Sequence, residues 1–112
     1  MSDLSLAERL GYGPDDRLLI VNCDDLGSSA SANRATAHAL ADGMATSATL
    51  MVPCPWAVDG AKRKVAGGVG VHLTLTSEYL AYRWRSLTGA ASLHDANGFM
   101  PRSAEELSLI HI

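Results

Sequence analysis

The chain has 112 residues, of which 47% are hydrophobic and 19% are charged, and its formal net charge is −3. These values fit one soluble domain, and nine basic against twelve acidic residues form no basic stripe, so we expect no nucleic-acid partner. No apolar run is long enough for a membrane span, and the N-terminus lacks a signal pattern, so we expect a cytoplasmic protein with no membrane partner. Cys23 and Cys54 have no CxxC spacing, and we interpret them as buried thiols.

The first half of the chain alternates strand and helix patterns. Residues Arg17–Cys23 predict a fully buried strand, because both of its faces are apolar. A helix is predicted through Asn33–Asp42, with serine N-caps before it and Gly43 at its end. Thr46–Val52 predicts the second strand.

A second helix and a third strand follow. Pro55 suits a helix start, and Val58, Ala61 and Val65 share one helical face. Val69–Thr76 predicts the third strand. Strands that alternate with helices in this order pair in parallel, so the sequence predicts the α/β class.

The last third of the chain is less regular. Ser77–Arg102 has no clear period and holds most of the aromatic residues; long loops of this kind are often functional. Ser103–Leu107 predicts a capped helix start. Residues 107–112, LSLIHI, are the residues that a transposase mosaic-end sequencing adapter encodes when it is translated in frame. The alternative is a native apolar strand. We therefore expect residues 1–106 to be the N-terminal part of one domain and 107–112 to be a non-native tail.

Two adjacent carboxylates, Asp24 and Asp25, end the first predicted strand. Burying one unpaired charge is costly and a second beside it is worse, so the pair needs a cation, a basic partner or exposure. His72 lies in the third predicted strand, and the carboxyl ends of parallel strands carry the chemistry of such folds. A carboxylate and an imidazole can share one divalent cation, while the other carboxylate acts as a base on a water. The structural alternatives are that the aspartates cap a helix or a turn and that His72 is a hydrogen-bonded core residue.

Three segments, taken in order, resemble the YdjC-like carbohydrate deacetylases of the ChbG/HpnK type: LLIVNCDDLG, SANRATAHALADGMATSATLMVPCPW and VGVHLTLTSEYLAYRW. The resemblance extends from about Leu6 to Arg102, and Cys23 stands where the family more often has alanine. It implies the N-terminal part of a distorted (β/α) barrel with parallel strands, truncated in this chain.

The resemblance also implies metal-dependent removal of acetyl groups from N-acetylated sugars or oligosaccharides by the full-length parent. The family's metal-binding aspartate and histidine map onto Asp25 and His72, and its general base maps onto Asp24. We expect a divalent cation, Mg²⁺ with Zn²⁺ as the alternative, and an N-acetylated carbohydrate as substrate. A further metal-binding histidine of the family comes from a later strand that is missing here, and His94 does not match its motif. The oligomeric state of the full-length parent is left open, with a homo-oligomer as one alternative.

Four residues are weaker candidates for substrate binding. The hydroxyl of Thr74 can orient a ligand or the sugar, although strand propensity also explains a threonine there. Arg83, Trp84 and Arg85 can meet a sugar ring and an anionic group, and a solvated loop over the barrel mouth is the alternative.

Two other functions remain open from the sequence. A receiver domain of phosphorelay proteins also carries an acidic pair after its first strand and binds Mg²⁺. Such a domain needs an aspartate at the end of its third strand, whereas the third predicted strand of this chain has His72 and no aspartate. The second alternative is an inert fragment. Three strands are less than half of a barrel that usually has about 250 residues, so we expect the chain itself to be inactive.

Overall fold

The computed structural model describes residues 4–63 and 65–110. Three strands form a parallel sheet in the order β1-β2-β3: Asn22–Leu26 (β1), Ser47–Leu50 (β2) and Gly68–Val71 (β3). The helices are Leu6–Arg9 (α1), Ala30–Ala41 (α2), Ala57–Lys62 (α3) and Ala104–Ile110 (α4), with a short 3-10 helix at Ala91–Leu93. Over these residues the sheet is open, which confirms the α/β class and is consistent with the N-terminal part of a barrel.

Helix α2 confirms the predicted helix, although it begins at Ala30, three residues before the predicted start at Asn33. The Ser29 hydroxyl accepts a hydrogen bond from the Ala32 amide at 3.1 Å, which satisfies one of the free amides of the first turn. After the helix, Gly43 adopts a φ of 80°, a left-handed conformation that suits glycine. The buried face of α2 packs toward β1 and consists of Asn33, Thr36 and Leu40.

Helix α3 buries a different face from the predicted one. Val58 is 64% exposed, whereas Ala57 and Gly60 are buried. A Cβ atom on Gly60 would lie 3.3 Å from the side chain of Leu26, so the helix can approach the sheet closely only with small residues facing it. The predicted face is therefore wrong for Val58 and Ala61, which are exposed, whereas Val65 lies beyond the end of α3 and packs against the apolar cluster around Leu26.

The first strand also starts later than predicted. Leu19 and Ile20 are 79% and 78% exposed, and β1 begins only at Asn22. The neighbouring strand explains this limit, because the Thr46 amide donates to the Val21 carbonyl at 2.9 Å and β2 begins one residue later. Residues before Val21 thus extend beyond the start of β2, and the prediction of a buried strand over Arg17–Cys23 was wrong.

Strands β2 and β3 are shorter than predicted as well. The His72 amide donates to the Leu50 carbonyl at 2.9 Å, after which the chain leaves the sheet. Beyond that point Leu73 is exposed, and no strand is assigned between residues 72 and 102. The loop from Ser77 to Arg102 is therefore confirmed as irregular apart from its 3-10 turn.

Two apolar clusters support this arrangement. The first lies between the sheet and α2 and is built on Leu26, Leu40, Ala45 and Ala48. The second joins the loop to the segment after β2 and is built on Met51, Cys54, Trp84 and Met100. The long loop is thus packed against the carboxyl end of the sheet, where the acidic pair lies.

Helix α4 contains the first four residues of the expected tail. The Ser103 hydroxyl accepts from the Glu106 amide at 3.2 Å, as the capped helix start predicts. His111 and Ile112 lie outside the described residues, and the adapter origin of the tail stays a prediction. Across the described ranges, no helix combines the length and the apolar character needed to cross a membrane.

Candidate functional site

A bulge in β1 determines the geometry of the acidic pair. The register pairs Cys23 with Ala48 and Leu26 with Leu50, so Asp24 and Asp25 together oppose the single residue Thr49. Asp25 has a φ of 66°, a left-handed conformation that is uncommon outside glycine and concentrates at functional sites. Neighbouring side chains of a regular strand point to opposite faces. The extra residue and its backbone conformation let both carboxylates turn toward the same histidine.

His72 follows β3 directly and lies between the two carboxylates. Its Nδ1 atom is 3.8 Å from Asp24 Oδ1, and its Nε2 atom is 3.9 Å from Asp25 Oδ1. The His72 side chain is mostly buried, whereas that of Asp24 is 67% exposed. The structure therefore brings together all three residues that the sequence selected for catalysis and metal binding.

A row of hydrogen bonds crosses the sheet through the same site; we refer to it as the polar ladder and define it as Ser47, Asn22, Asp24, Thr49 and His72. Asp24 Oδ1 accepts from Asn22 Nδ2 at 2.8 Å and from the Thr49 hydroxyl at 2.7 Å. The Thr49 hydroxyl also lies 3.1 Å from His72 Nδ1, and the Ser47 hydroxyl donates to Asn22 Oδ1 at 2.7 Å. The ladder follows from the alternation of side chains along each strand. Cys23 and Ala48 face the first apolar cluster, so the residues on either side of them face the opposite way.

Asp25 and His72 fit as two ligands of a divalent cation. Two ligand atoms that each lie about 2.1 Å from a metal are about 3.4 Å apart at the tetrahedral angle of Zn²⁺ and about 3.0 Å apart at the right angle of octahedral Mg²⁺. Asp25 Oδ1 and His72 Nε2 are 3.9 Å apart, so a side-chain movement of less than about 1 Å brings them to either spacing. Within residues 4–63 and 65–110, no three histidine, cysteine, aspartate or glutamate side chains converge on one metal position. Within the described residues, Asp25 and His72 therefore offer two of the ligands that a metal site would need.

Cys54 lies near Asp25 and carries a neutral thiol in the metal-free chain. Burial raises the pKa of the Cys54 thiol to about 11, and the negative charge of Asp25 adds to the increase. A thiol must lose its proton to bind a metal. Cys54 thus stays a neutral, buried side chain at physiological pH, and Cys23 is partly buried. Both positions agree with the interpretation of the cysteines as structural.

The loop residues proposed for substrate binding occupy different environments. Trp84 is 3% exposed and packs in the second apolar cluster, with its ring edge against Tyr79 and Tyr82. Arg83 donates to Asp95 Oδ2 at 2.6 Å and also bonds the Met100 carbonyl, with its guanidinium over the Phe99 ring. These two side chains hold the loop together instead of facing open solvent, which argues against direct sugar contacts.

Arg85 and Thr74 remain more accessible. Arg85 is exposed, lies 4.5 Å above the Phe99 ring centre and donates to the Gly98 carbonyl at 3.1 Å. Thr74 donates to the backbone carbonyl of His72 at 3.0 Å and lines a cleft of about 150 Å³. Of the four weaker candidates, these two therefore have the positions that a substrate can reach.

Ion pairs and hydrogen bonds in the loop fix its shape. The pKa of Asp95 is lowered to about 2, first by the hydrogen bond from the Arg83 guanidinium and then by that from the Phe99 amide. His94 Nε2 lies 2.6 Å from the Ser86 hydroxyl, so this histidine serves the loop's internal bonding. The Tyr82 hydroxyl donates to the Ser28 carbonyl at 2.8 Å and ties the loop to the segment after β1.

Sequence reasoning missed three polar residues around the site. Thr49 and Asn22 bond to Asp24, and the period-two pattern in NCDDL and SATL is the signal that puts them on its face. Asn33 is fully buried; its side chain accepts from the Gly27 amide at 2.6 Å and donates to the Trp56 carbonyl at 3.0 Å. Asn33 thereby fixes the turn that follows the acidic pair.

Known proteins with similar sequences identify the family of this chain. The sequence model of the YdjC-like protein family matches residues 18–111. A carbohydrate deacetylase of Thermus thermophilus is 45% identical over 104 residues, which are 93% of this chain and 36% of that protein. A carbohydrate deacetylase of Geobacillus stearothermophilus is 39% identical over 94 residues, 81% of this chain and 36% of that protein.

A third carbohydrate deacetylase, from Brevibacillus brevis, is 48% identical over 61 residues, 52% of this chain and 25% of that protein. The chain thus spans about a third of the length of the first two relatives. The receiver-domain alternative finds no support, because the third strand leads into His72 and the matched family is a different one. The chain belongs to the YdjC-like protein family.

Proposed function

We propose that the whole protein hydrolyses the N-acetyl group of a sugar or oligosaccharide. The observation that carries the proposal is the meeting of Asp24, Asp25 and His72 at the carboxyl end of a parallel sheet. Relatives at 45% and 39% identity are named carbohydrate deacetylases, which supports both the reaction and the substrate class.

In this proposal Asp25 and His72 hold a divalent cation, Mg²⁺ first and Zn²⁺ as the alternative. When bound, such a cation lowers the pKa of a coordinated water and polarises the acetyl carbonyl. Their donor atoms, 3.9 Å apart, are a carboxylate oxygen, which suits Mg²⁺, and an imidazole nitrogen, which suits Zn²⁺. Further ligands must come from outside these two residues, because two protein ligands bind a metal weakly.

Asp24 is the proposed general base. Its carboxylate is exposed enough for a water and a substrate to approach, and two hydrogen bonds to Oδ1 hold its orientation. A base must reach the proton that it removes, so a fixed, accessible carboxylate beside the cation ligands meets the geometric requirement. Asp24 therefore takes the proton of the attacking water, while Asp25 and His72 serve binding.

Substrate contacts are proposed for Thr74 and Arg85. Thr74 lines the cleft next to the backbone of His72, and Arg85 presents an exposed guanidinium on the same loop. Hydroxyl and guanidinium groups are hydrogen-bond donors that match the oxygens of a carbohydrate. The acetylated sugar is thereby expected to lie between the carboxyl end of the sheet and the loop.

Acetate release from an N-acetylated oligosaccharide tests the proposal. The whole protein should release acetate when Mg²⁺ or Zn²⁺ is present and should lose this activity in excess chelator, with recovery when the metal is restored. Asp15→Asn is a suitable control, because Asp15 is exposed in the turn after α1, and it should release acetate like the wild type. Failure to release acetate from any N-acetylated sugar with either metal would contradict the proposed reaction.

A further inference from the structure

The Thr49 hydroxyl bridges the proposed base and the proposed metal ligand. It lies 2.7 Å from Asp24 Oδ1 and 3.1 Å from His72 Nδ1. A hydroxyl has one hydrogen to donate, and an ionised carboxylate only accepts. The hydrogen of Thr49 is thus used on Asp24, and the hydroxyl oxygen is left as an acceptor for His72.

This direction of bonding determines where a neutral His72 carries its hydrogen. Nδ1 must be the N–H donor to Thr49, which leaves Nε2 with a free lone pair. Nε2 is the nitrogen that faces Asp25 Oδ1 at 3.9 Å. The lone pairs of His72 Nε2 and Asp25 Oδ1 repel each other, and both atoms would instead be attracted to a cation placed between them. The hydrogen-bond direction at Thr49 thus presents the correct nitrogen to a metal.

We propose that Thr49 is a positioning residue that selects the Nδ1–H tautomer of His72 and orients Asp24. The inference rests on the proposed function and extends it to a residue that touches neither the substrate nor the cation. A single side chain then couples the metal ligand to the general base, because both depend on the same hydroxyl.

The sheet holds Thr49 in place for this role. Its neighbour Ala48 is buried in the first apolar cluster and pairs with Cys23, so the register of β2 cannot slip without exposing that cluster. Threonine is also branched at Cβ, which restricts its χ1 rotation. Asn22 provides a second bond to Asp24, and the Ser47 hydroxyl fixes the amide of Asn22 in turn.

The test compares Thr49→Val, which keeps the shape and removes the hydroxyl, with Thr49→Ser, which keeps the hydroxyl. The first measurement is the tautomer of the neutral His72 side chain in the metal-free whole protein, read from imidazole nitrogen NMR. The wild type and Thr49→Ser should carry the hydrogen on Nδ1. Thr49→Val should lose that preference and populate the Nε2–H form.

The second measurement is the affinity for Mg²⁺ by calorimetric titration. Removing the partner of a metal-binding histidine typically weakens binding by roughly 10- to 100-fold, and we expect Thr49→Val to fall in that range while Thr49→Ser stays near the wild type. Thr46→Val is the matched control, because Thr46 is exposed just before the start of β2 and its hydroxyl bonds the backbone of Val21 outside the polar ladder. This variant should bind Mg²⁺ normally. Acetate release should show a lower kcat in Thr49→Val, beyond what saturating Mg²⁺ restores, since Asp24 also loses a bond.

Several results would overturn the role of Thr49. One is a wild-type His72 with its hydrogen on Nε2, and another is a Thr49→Val protein with an unchanged tautomer and unchanged Mg²⁺ affinity. Equal losses in Thr49→Ser and Thr49→Val would also contradict it, because the hydroxyl would then not be the cause. If the wild type binds no Mg²⁺ and releases no acetate, the proposed function fails, and the tautomer of metal-free His72 still decides for or against Thr49.

Discussion

The side chain of Asn33 accepts a hydrogen bond from the Gly27 amide at 2.6 Å and so joins helix α2 to the turn that follows the acidic pair. Asn33 is fully buried and also donates to the Trp56 carbonyl and to Asp59 Oδ2. One amide therefore connects α2, the turn after β1 and the start of α3. The position of Asp25, two residues before Gly27, depends on this junction.

Asn33→Ala should destabilise the protein strongly. The change leaves the buried Gly27 amide without this partner, whereas the Trp56 carbonyl keeps its hydrogen bond from the Gly60 amide. An unsatisfied buried group costs about 1–3 kcal/mol, so we expect the free energy of unfolding, measured by urea titration, to fall by about that amount. Asn97→Ala, at an exposed turn position, is the control and should change it little. Equal stability of the two variants would show that the junction is unimportant.

Trp84 should act as a core residue. Its ring fills the second apolar cluster, and truncation of such a side chain to alanine costs about 3–5 kcal/mol. Trp84→Ala should therefore lower the free energy of unfolding by that amount, whereas Arg85→Ala should leave it nearly unchanged.

The fluorescence of Trp84 gives an independent check of its burial. The chain has two tryptophans, so Trp56→Phe isolates the emission of Trp84. That emission should be blue-shifted, shielded from acrylamide and insensitive to added N-acetylated oligosaccharide. Quenching or a spectral shift by the sugar would restore Trp84 as a substrate contact.

The ion pair between Arg83 and Asp95 should make stability depend on acid. The pKa of Asp95 is lowered to about 2, first by the hydrogen bond from Arg83 and then by that from the Phe99 amide. In the unfolded chain this carboxyl binds its proton at a higher pH than in the folded protein. The contribution of the ion pair to the free energy of unfolding is therefore complete above about pH 4 and is lost as the pH falls toward about 2. Asp95→Asn should therefore flatten the decrease of Tm between these pH values.

Thermal unfolding across that pH range measures the effect. Asp15→Asn, at an exposed position, is the control and should follow the wild type. An Asp95→Asn protein whose Tm falls with acid as steeply as that of the wild type would contradict the assignment.

Cys54 should resist alkylation in the folded protein. With a pKa of about 11, only roughly a thousandth of the thiol is ionised at about pH 8, and its burial also blocks the reagent. Mass spectrometry after iodoacetamide treatment should find the Cys54 peptide unmodified in the native protein and modified in urea. Rapid labelling of Cys54 without urea would mean that the segment after β2 is open.

The sequence predicts the main features of the site because they depend on local pattern. Adjacent aspartates after an apolar run and a histidine in a later strand come together once the strands pair in parallel, as Asp24, Asp25 and His72 do. The cap of α2 at Ser29 and the end near Gly43 are equally local.

The features that the sequence did not predict depend on register and on close packing. Thr49 is one of several strand hydroxyls, and only the bulge opposite it makes it the neighbour of Asp24. The buried face of α3 follows from the close approach of Gly60 to Leu26, which favours small residues over Val58. Leu19 and Ile20 look like core residues in the sequence, but they lie before the point at which β2 begins to pair with β1, and they are exposed.

The division of labour between Asp24 and Asp25 is the central claim, and Mg²⁺ titration of the whole protein paired with an acetate-release assay tests it most directly. Asp24→Asn should bind Mg²⁺ like the wild type and release acetate roughly 10²-fold more slowly or worse, the usual scale of general-base catalysis. Asp25→Asn and His72→Ala should lose Mg²⁺ affinity and activity together. Near-normal acetate release by Asp24→Asn, or wild-type Mg²⁺ affinity in both Asp25→Asn and His72→Ala, would contradict the account.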